Sequence, residues 1–197
     1  MDAVISGFGN PMEQDNTRLA ARLRERDPDV LDELIERFQH RLFRYLLSLT
    51  GDKSKAEDLF QETWLRVLER GHQYRPRWRF EVWLFSIARN LVIDMSRLKK
   101  GASLDQMMDT ESGLGFDPAA RQPSPLDETL AEEETKRMTQ FLQQIPAAFR
   151  EVLTLRFQEE LPLEDVASVI GAPLSTVKSR LYRALEKLRE VIEEKVV

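Results

Sequence analysis

Residues 160–197 carry two helical periods separated by a break, and no other stretch restricts the possible folds as much. Leu163, Val166, Ala167 and Ile170 recur at three- and four-residue steps, so they line one face of a helix. Gly171 can close that helix in the left-handed conformation, and Pro173 opposes its continuation. A second period follows, with Val177, Leu181, Ala184, Leu185, Leu188 and Ile192 on one side. At about 100° per residue, Ser175, Ser179, Tyr182, Arg183 and Glu186 point the opposite way, flanked by Lys178 and Arg180.

A helix, a glycine turn and a second helix with a basic, hydroxyl-rich outer face form the pattern of a DNA-reading helix-turn-helix. Arginine and lysine can donate to guanine edges or phosphates, and serine and threonine can contact either. Between Lys178 and Arg189 there are five basic residues against one acidic. An ordinary helical hairpin with a solvated face could carry that charge. The glycine turn and the hydroxyls at the start of the second helix favour DNA.

Helix formers dominate, and no run of alternating β-branched residues competes, so the chain is expected to be all-α. With no cysteine, disulfide frameworks and thiolate metal sites are excluded, in keeping with a reducing, cytoplasmic setting. No apolar run is long enough to span a bilayer, so direct membrane insertion is not expected. The first sixteen residues lack the basic-then-apolar order of a signal peptide. The formal net charge is −5, yet it is unevenly distributed. Residues 74–100 hold seven basic residues against two acidic, whereas residues 101–135 hold nine acids against Arg121. Two positive segments separated by a negative one predict a chain that binds DNA weakly alone and needs a partner to place it.

In chain order, residues 1–16 read as a disordered lead and Thr17–Arg24 as a short helix. Asp27 and Pro28 then provide an N-cap and first-turn proline. The helix they open repeats Leu31, Leu34, Ile35, Phe38, Leu42, Tyr45 and Leu46 on one side and stops at Thr50-Gly51. Ser54 is the expected cap of the next helix, Lys55 to Glu69, which buries Ala56, Leu59, Phe60, Thr63 and Val67. Its opposite face carries Asp58, Gln61, Glu62, Leu65 and Glu69, which is either a solvated surface or a docking surface for a basic partner. Residues 74–85 interleave arginines with aromatics, a pattern that suits unpaired nucleic acid. Helical phase assigns Phe80, Leu84, Ile87, Leu91 and Met95 to a core and Val82, Ser86, Arg89 and Ile93 to the outer face. Residues 101–125 form a linker with three prolines. A second domain begins near Leu126, with Leu130, Met138, Phe141, Leu142 and Ile145 apolar, and Phe149, Val152, Leu153 and Phe157 beyond Pro146.

Together these motifs resemble the extracytoplasmic-function sigma factors, the two-domain initiation subunits of bacterial RNA polymerase. The resemblance rests on Ala56-Glu57-Asp58-Leu59-Phe60-Gln61-Glu62-Thr63-Trp64 and on Phe80-Glu81-Val82-Trp83-Leu84-Phe85-Ser86-Ile87-Ala88-Arg89-Asn90. Towards the C-terminus it rests on Ile145-Pro146, Arg150-Glu151-Val152-Leu153 and Ser175-Thr176-Val177-Lys178-Ser179-Arg180-Leu181. It implies two small helical domains, region 2 at 17–100 and region 4 at 126–197, joined by a flexible acidic linker at 101–125. Asp58, Gln61, Glu62 and Leu65 would dock on the coiled coil of the polymerase largest subunit, with its flap a further contact. Trp83, Leu84, Arg89, Asn90, Ile93, Asp94 and Arg97 would open and read the −10 element. Lys178, Ser179, Arg180, Tyr182 and Arg183 would enter the −35 major groove, with Ser175 and Thr176 near phosphates. The linker would thread the RNA exit path, and an anti-sigma protein would silence the subunit until a stress signal. The chain departs from the family pattern at Pro162, where a small polar cap is usual, and in the bulky, basic Pro76-Arg77-Trp78-Arg79.

A stand-alone helix-turn-helix regulator would account for the C-terminal half alone. An enzyme is not expected: His40 and His72 have no metal-like spacing, and the acidic pairs fall on helix surfaces. Neither a metal nor a cofactor is implied.

Overall fold

The computed structural model describes residues 11–101 and 143–196, and every described element is helical. The linker expected at 101–125, the second-domain start near Leu126, and Leu130, Met138, Phe141 and Leu142 lie outside them, apart from Gly101. The first helix, α1, spans Pro11–Arg24. It is longer than the expected Thr17–Arg24, because Pro11 stands at the first helical position, where a missing N–H costs nothing. Residues 11–16 of the expected lead are therefore helical.

Helix α2, Pro28–Thr50, starts where Asp27 accepts from the Asp29 N–H at 3.0 Å and ends at Gly51 with φ +63°. Its buried stripe is Val30, Leu34, Phe38, Leu42, Tyr45, Leu46 and Leu49, with Leu31 and Ile35 at its half-buried edge. Helix α3, Lys53–Arg70, is capped by Asp52, which accepts from the Lys55 N–H at 3.2 Å. Ser54 was the expected cap. Asp52 takes the role because an aspartate two residues earlier reaches the free amide of the third helical residue and adds negative charge at the helix N-terminus. Trp64 joins the buried face of α3, while Phe60 is only half-buried.

Helix α4, Phe80–Gly101, packs across α2 and α3. Tyr74, Phe80 and Trp83 interlock, with ring centroids 5.3–5.8 Å apart, and Phe80 meets Phe38 at 5.4 Å. The Tyr74 hydroxyl donates to the Trp78 carbonyl at 2.7 Å, which fixes the basic loop before α4. Much of the aromatic content of that loop is therefore core.

In the second half, α5 (Ala147–Leu153) runs into a wider, π-helical turn at Thr154–Gln158. There the Glu159 N–H donates back five residues to the Thr154 carbonyl at 3.0 Å. Phe157, expected to be apolar core, is 56% exposed, because the wider turn swings it to the outside. Helix α6, Leu163–Ile170, begins at Pro162 without a side-chain cap, though Glu164 and Asp165 supply acidic charge in its first turn. Gly171 ends it with φ +67°, its N–H donating to the Ala167 carbonyl at 2.9 Å. Helix α7, Leu174–Val196, follows, with Val177 and Ala184 fully buried.

The two helical units lie against each other. Helix α6 packs on α4 and α5 on α2, so one apolar core runs from Phe38, Leu42 and Phe85 to Leu155, Leu161 and Val166.

A Cβ added at Gly171 would meet nothing within 4 Å, so only the left-handed backbone resists substitution. Gly171→Ala is expected to lower stability by about 1–2 kcal/mol. Gly171→Asn should lose less, because asparagine tolerates that conformation. Denaturant midpoints of the two variants measure the difference.

Candidate nucleic-acid interface

The helix-turn-helix is formed by α6, the Gly171 turn and α7. With Val177 and Ala184 facing inward and Leu181 half-buried, Ser175, Lys178, Ser179, Tyr182 and Arg183 face solvent. Tyr182 is 74% exposed. Thr176 and Arg180 are half-buried at the edges of this face. Charge pairing divides the helix in two. Lys187 pairs with Glu190 at 2.6 Å and Arg189 with Glu193 at 2.7 Å, whereas Lys178 and Arg183 have no ion-pair partner among the described residues. The first turns of α7 thus offer uncompensated cations and hydroxyls beside an exposed ring, and its last turns do not. Leu185 and Ile192, expected on the buried side, are 39% and 44% exposed.

The α4 residues are not all together on one surface. Asn90, Asp94 and Arg97 are exposed at helical spacing, and Ile93 is half-buried beside them. Arg75, Arg77 and Trp78 are exposed in the preceding loop, the Arg77 guanidinium lying 5.0 Å from the Trp78 ring centre. Leu84 is fully buried and Trp83 is half-buried against Tyr74 and Phe80. The expected outer face of Val82, Ser86, Arg89 and Ile93 needs correction. Val82 is 3% exposed, Ser86 is half-buried and the Arg89 side chain is 14% exposed. Helical phase identifies one face of α4 as turned from its own unit, but the other unit covers that face.

Arg89 donates to Glu151 at 2.8 Å, and the same carboxylate oxygen accepts from the Tyr45 hydroxyl at 3.0 Å. Glu151 has no solvent access. Burial pushes its carboxyl above the ordinary range, while the Arg89 charge, the Tyr45 hydroxyl and, more weakly, Arg180 pull it back. Eight residues on, the fully enclosed Glu159 carboxylate is held by Arg41 at 2.8 Å and Arg44 at 3.0 Å, and its carbonyl accepts from Arg41 at 3.0 Å. Arg79 lies 3.6 Å from Asp165. Arg150, 2% exposed, donates to Gln143, whose amide reaches the Leu47 and Ser48 carbonyls at 3.5 and 3.4 Å. Burial lowers its pKa to about 10. The sequence reading assigned no role to Glu159, Arg41 or Arg44. An acid at the head of the mostly apolar run 151–155 was a signal for Glu151, and none marked the other three.

On α3, Asp58, Gln61 and Leu65 are exposed and Glu62 is partly so, bonded to Arg66 at 2.8 Å. Leu65 is 54% exposed, and Leu68, which helical phase alone did not single out, is 50% exposed one turn further on. An acidic face with two bare leucines is thus presented away from α2 and α4.

Both helical units resemble known proteins. Residues 34–101 match Sigma-70 region 2 and residues 141–190 match Sigma-70 region 4. The ECF RNA polymerase sigma factor SigM of Bacillus subtilis strain 168 is 32% identical over 161 residues, covering 81% of this chain and 93% of the relative. The RNA polymerase sigma-H factor of Pseudomonas aeruginosa is 29% identical over 184 residues, covering 92% and 95%. Among solved structures, RpoE of Bartonella quintana, crystallised with the anti-sigma factor NepR, has a TM-score of 0.65 at 23% identity, covering 82% of this chain and 96% of that one. CnrH, solved with the cytosolic domain of CnrY, has a TM-score of 0.64 at 20% identity, covering 91% and 97%. These define a class, the two-region initiation subunits of bacterial RNA polymerase. The chain belongs to the extracytoplasmic-function sigma factors: it is an alternative sigma factor that directs RNA polymerase to promoters and not an enzyme. Among the described residues no helix is long and apolar enough to cross a membrane.

Proposed function

We propose that three separate surfaces of this sigma factor divide the work of initiation. The exposed face of α3, made by Asp58, Gln61, Glu62 and Leu65 with Leu68 beside them, meets a basic face on core polymerase, the largest-subunit coiled coil. Its acidic-apolar composition supports this. The polymerase flap is a second contact, made by region 4. Asn90, Asp94 and Arg97, with Arg75, Arg77 and Trp78 of the loop, handle the −10 element, where cations and a ring suit a strand being unpaired. Trp83, Leu84 and Ile93 support that surface from behind, and Arg89 joins it once freed from Glu151.

The observation that carries the −35 assignment is the uncompensated charge on the first turns of α7. Lys178 and Arg183, flanking Tyr182, are the cations left free to meet phosphates or guanine edges. Arg180, Ser175, Thr176 and Ser179 complete the face. The acidic stretch 101–125 keeps its place in the RNA exit path. Since one structural relative was solved with an anti-sigma factor and the other with the cytosolic domain of CnrY, we extend such a partner to this chain: a soluble or membrane-tethered anti-sigma protein holds it inactive in the bacterial cytoplasm.

Run-off transcription with purified core enzyme on a genomic fragment library tests the reading as a whole, and specific starts are expected only when the chain is added. Arg183→Ala should weaken promoter binding by about 1–3 kcal/mol and relax preference at one −35 position. Equal weakening on every sequence would mark Arg183 as a phosphate contact instead. Glu62→Lys is expected to abolish co-purification with core polymerase while leaving the helical content unchanged, and retained co-purification would remove α3 as the docking face.

A further inference from the structure

The surfaces assigned above leave unused a cavity between α1, α2 and the start of α4. It measures about 290 Å³, and Leu19, Leu34, Phe38 and Phe80 give it apolar walls. Four arginines also line it, Arg18 and Arg22 from α1, Arg37 from α2 and Arg79 from the residue before α4. Helix α1 lies outside residues 34–101, which match Sigma-70 region 2, so that wall of the cavity is additional to the region.

Two of the four arginines are engaged within the protein. Arg22 donates to Asp27 at 2.7 Å and to Glu33 at 2.7 and 3.2 Å. Arg79 donates to Glu81 and lies 3.6 Å from Asp165. Arg18 and Arg37 differ: both are exposed, and neither has an ion-pair partner among the described residues. Asp15, a further acid on the cavity, pairs with neither. The Arg37 guanidinium lies 5.2 Å from the Phe38 ring centre, which steadies it over an apolar wall.

The bond from Arg22 to Glu33 also sets how the two helices align. Arg18 stands one turn before Arg22 on α1, and Arg37 one turn after Glu33 on α2. The short connection at 25–27 makes the helices run in opposite senses, so these two positions come level across the cavity. Opposite charges meet nearest the connection, and like charges meet one turn further on. Two cations set level raise each other's energy unless an anion lies between them.

We propose that this cavity binds a small phosphomonoester, its phosphate held between Arg18 and Arg37 and its organic part against Leu19, Leu34, Phe38 and Phe80. A carboxylate offers two oxygens in one plane and is satisfied by a single guanidinium fork. A phosphate offers three oxygens about a tetrahedral centre, so guanidiniums from two helices can engage it together. Ligand cavities span about 300–1,000 Å³, which places this one at the small end. It has room for a sugar phosphate or a nucleoside monophosphate and not for a dinucleotide. Asp15, without a cation of its own, can accept from a ligand hydroxyl.

Isothermal titration calorimetry of the full chain with adenosine monophosphate, ribose phosphate and inorganic phosphate tests the site. Saturable binding is expected, with at least one of the two esters bound more tightly than inorganic phosphate. The tighter ester tells whether nucleotides or sugar phosphates are the source. Arg18→Gln and Arg37→Gln should each weaken binding of that ester by about ten- to a hundredfold. Both side chains are exposed and outside the core, so circular dichroism should show unchanged helicity. Arg24→Gln removes an exposed cation of α1 outside the cavity and should bind as the parent does. No saturable binding of either ester, esters no tighter than inorganic phosphate, full affinity in Arg18→Gln and Arg37→Gln, or equal loss in Arg24→Gln would each overturn the site. A single-stranded oligodeoxynucleotide without a terminal phosphate should not compete with the ester. If it competed and lost affinity equally in Arg18→Gln, the two arginines would be strand contacts and the proposal would fail.

Discussion

A carboxylate without access to water must be met by cations, and the arrangement of this protein follows from how Glu159 and Glu151 are met. Glu159 reaches two guanidiniums of α2, and Glu151 is shared by Arg89 of α4 and the hydroxyl of Tyr45. Those contacts determine which side of the region 2 unit is covered. They leave the acidic α3 face and the basic turns of α7 open, and they bury the one cation of α4 that helical phase placed outside. Hydrophobic contact between α4 and α6 supplies area, but area is non-directional, whereas the paired charges select a single alignment.

Much of this was legible from residue order. The α2 stripe from Leu34 to Leu46 follows a 3.6-residue period and is buried as a helix face should be. Gly51 and Gly171 mark helix ends because both need a left-handed backbone. The outer face of α7 could be read because its neighbours, α5 and α6, lie on one side, although phase also placed the exposed Leu185 and Ile192 on the buried side. The family followed from three motifs in order, and Sigma-70 regions 2 and 4 match at 34–101 and 141–190.

What was not legible concerns pairs distant in sequence. Period analysis treats each helix as having one buried side, and α4 has two, because α6 and Glu151 cover Val82, Ser86 and Arg89. Nothing near Arg41 or Arg44 in the chain marks them as partners of a glutamate more than a hundred residues away. Phase placed Phe80 in the core, whereas Tyr74, in the loop before the helix, had no phase to place it, and its burial against Phe80 decides for core. Leu68 was overlooked for a different reason: it lies next to the acidic stripe of α3, so it became visible only once the helix was seated.

The wider helical turn at Thr154–Gln158 has a consequence for register. Positions eight apart in a regular α-helix are about 80° out of phase. On a uniform helix, Glu151 and Glu159 would therefore aim at different neighbours. The i to i+5 turn slows the winding and brings the second carboxylate back beneath the first. A single surplus residue in the spiral thus aims both anions at the same flank. Losing that residue would disengage them without deleting a charge, so the spacing within a loop of chain governs the coupling as firmly as the acids themselves.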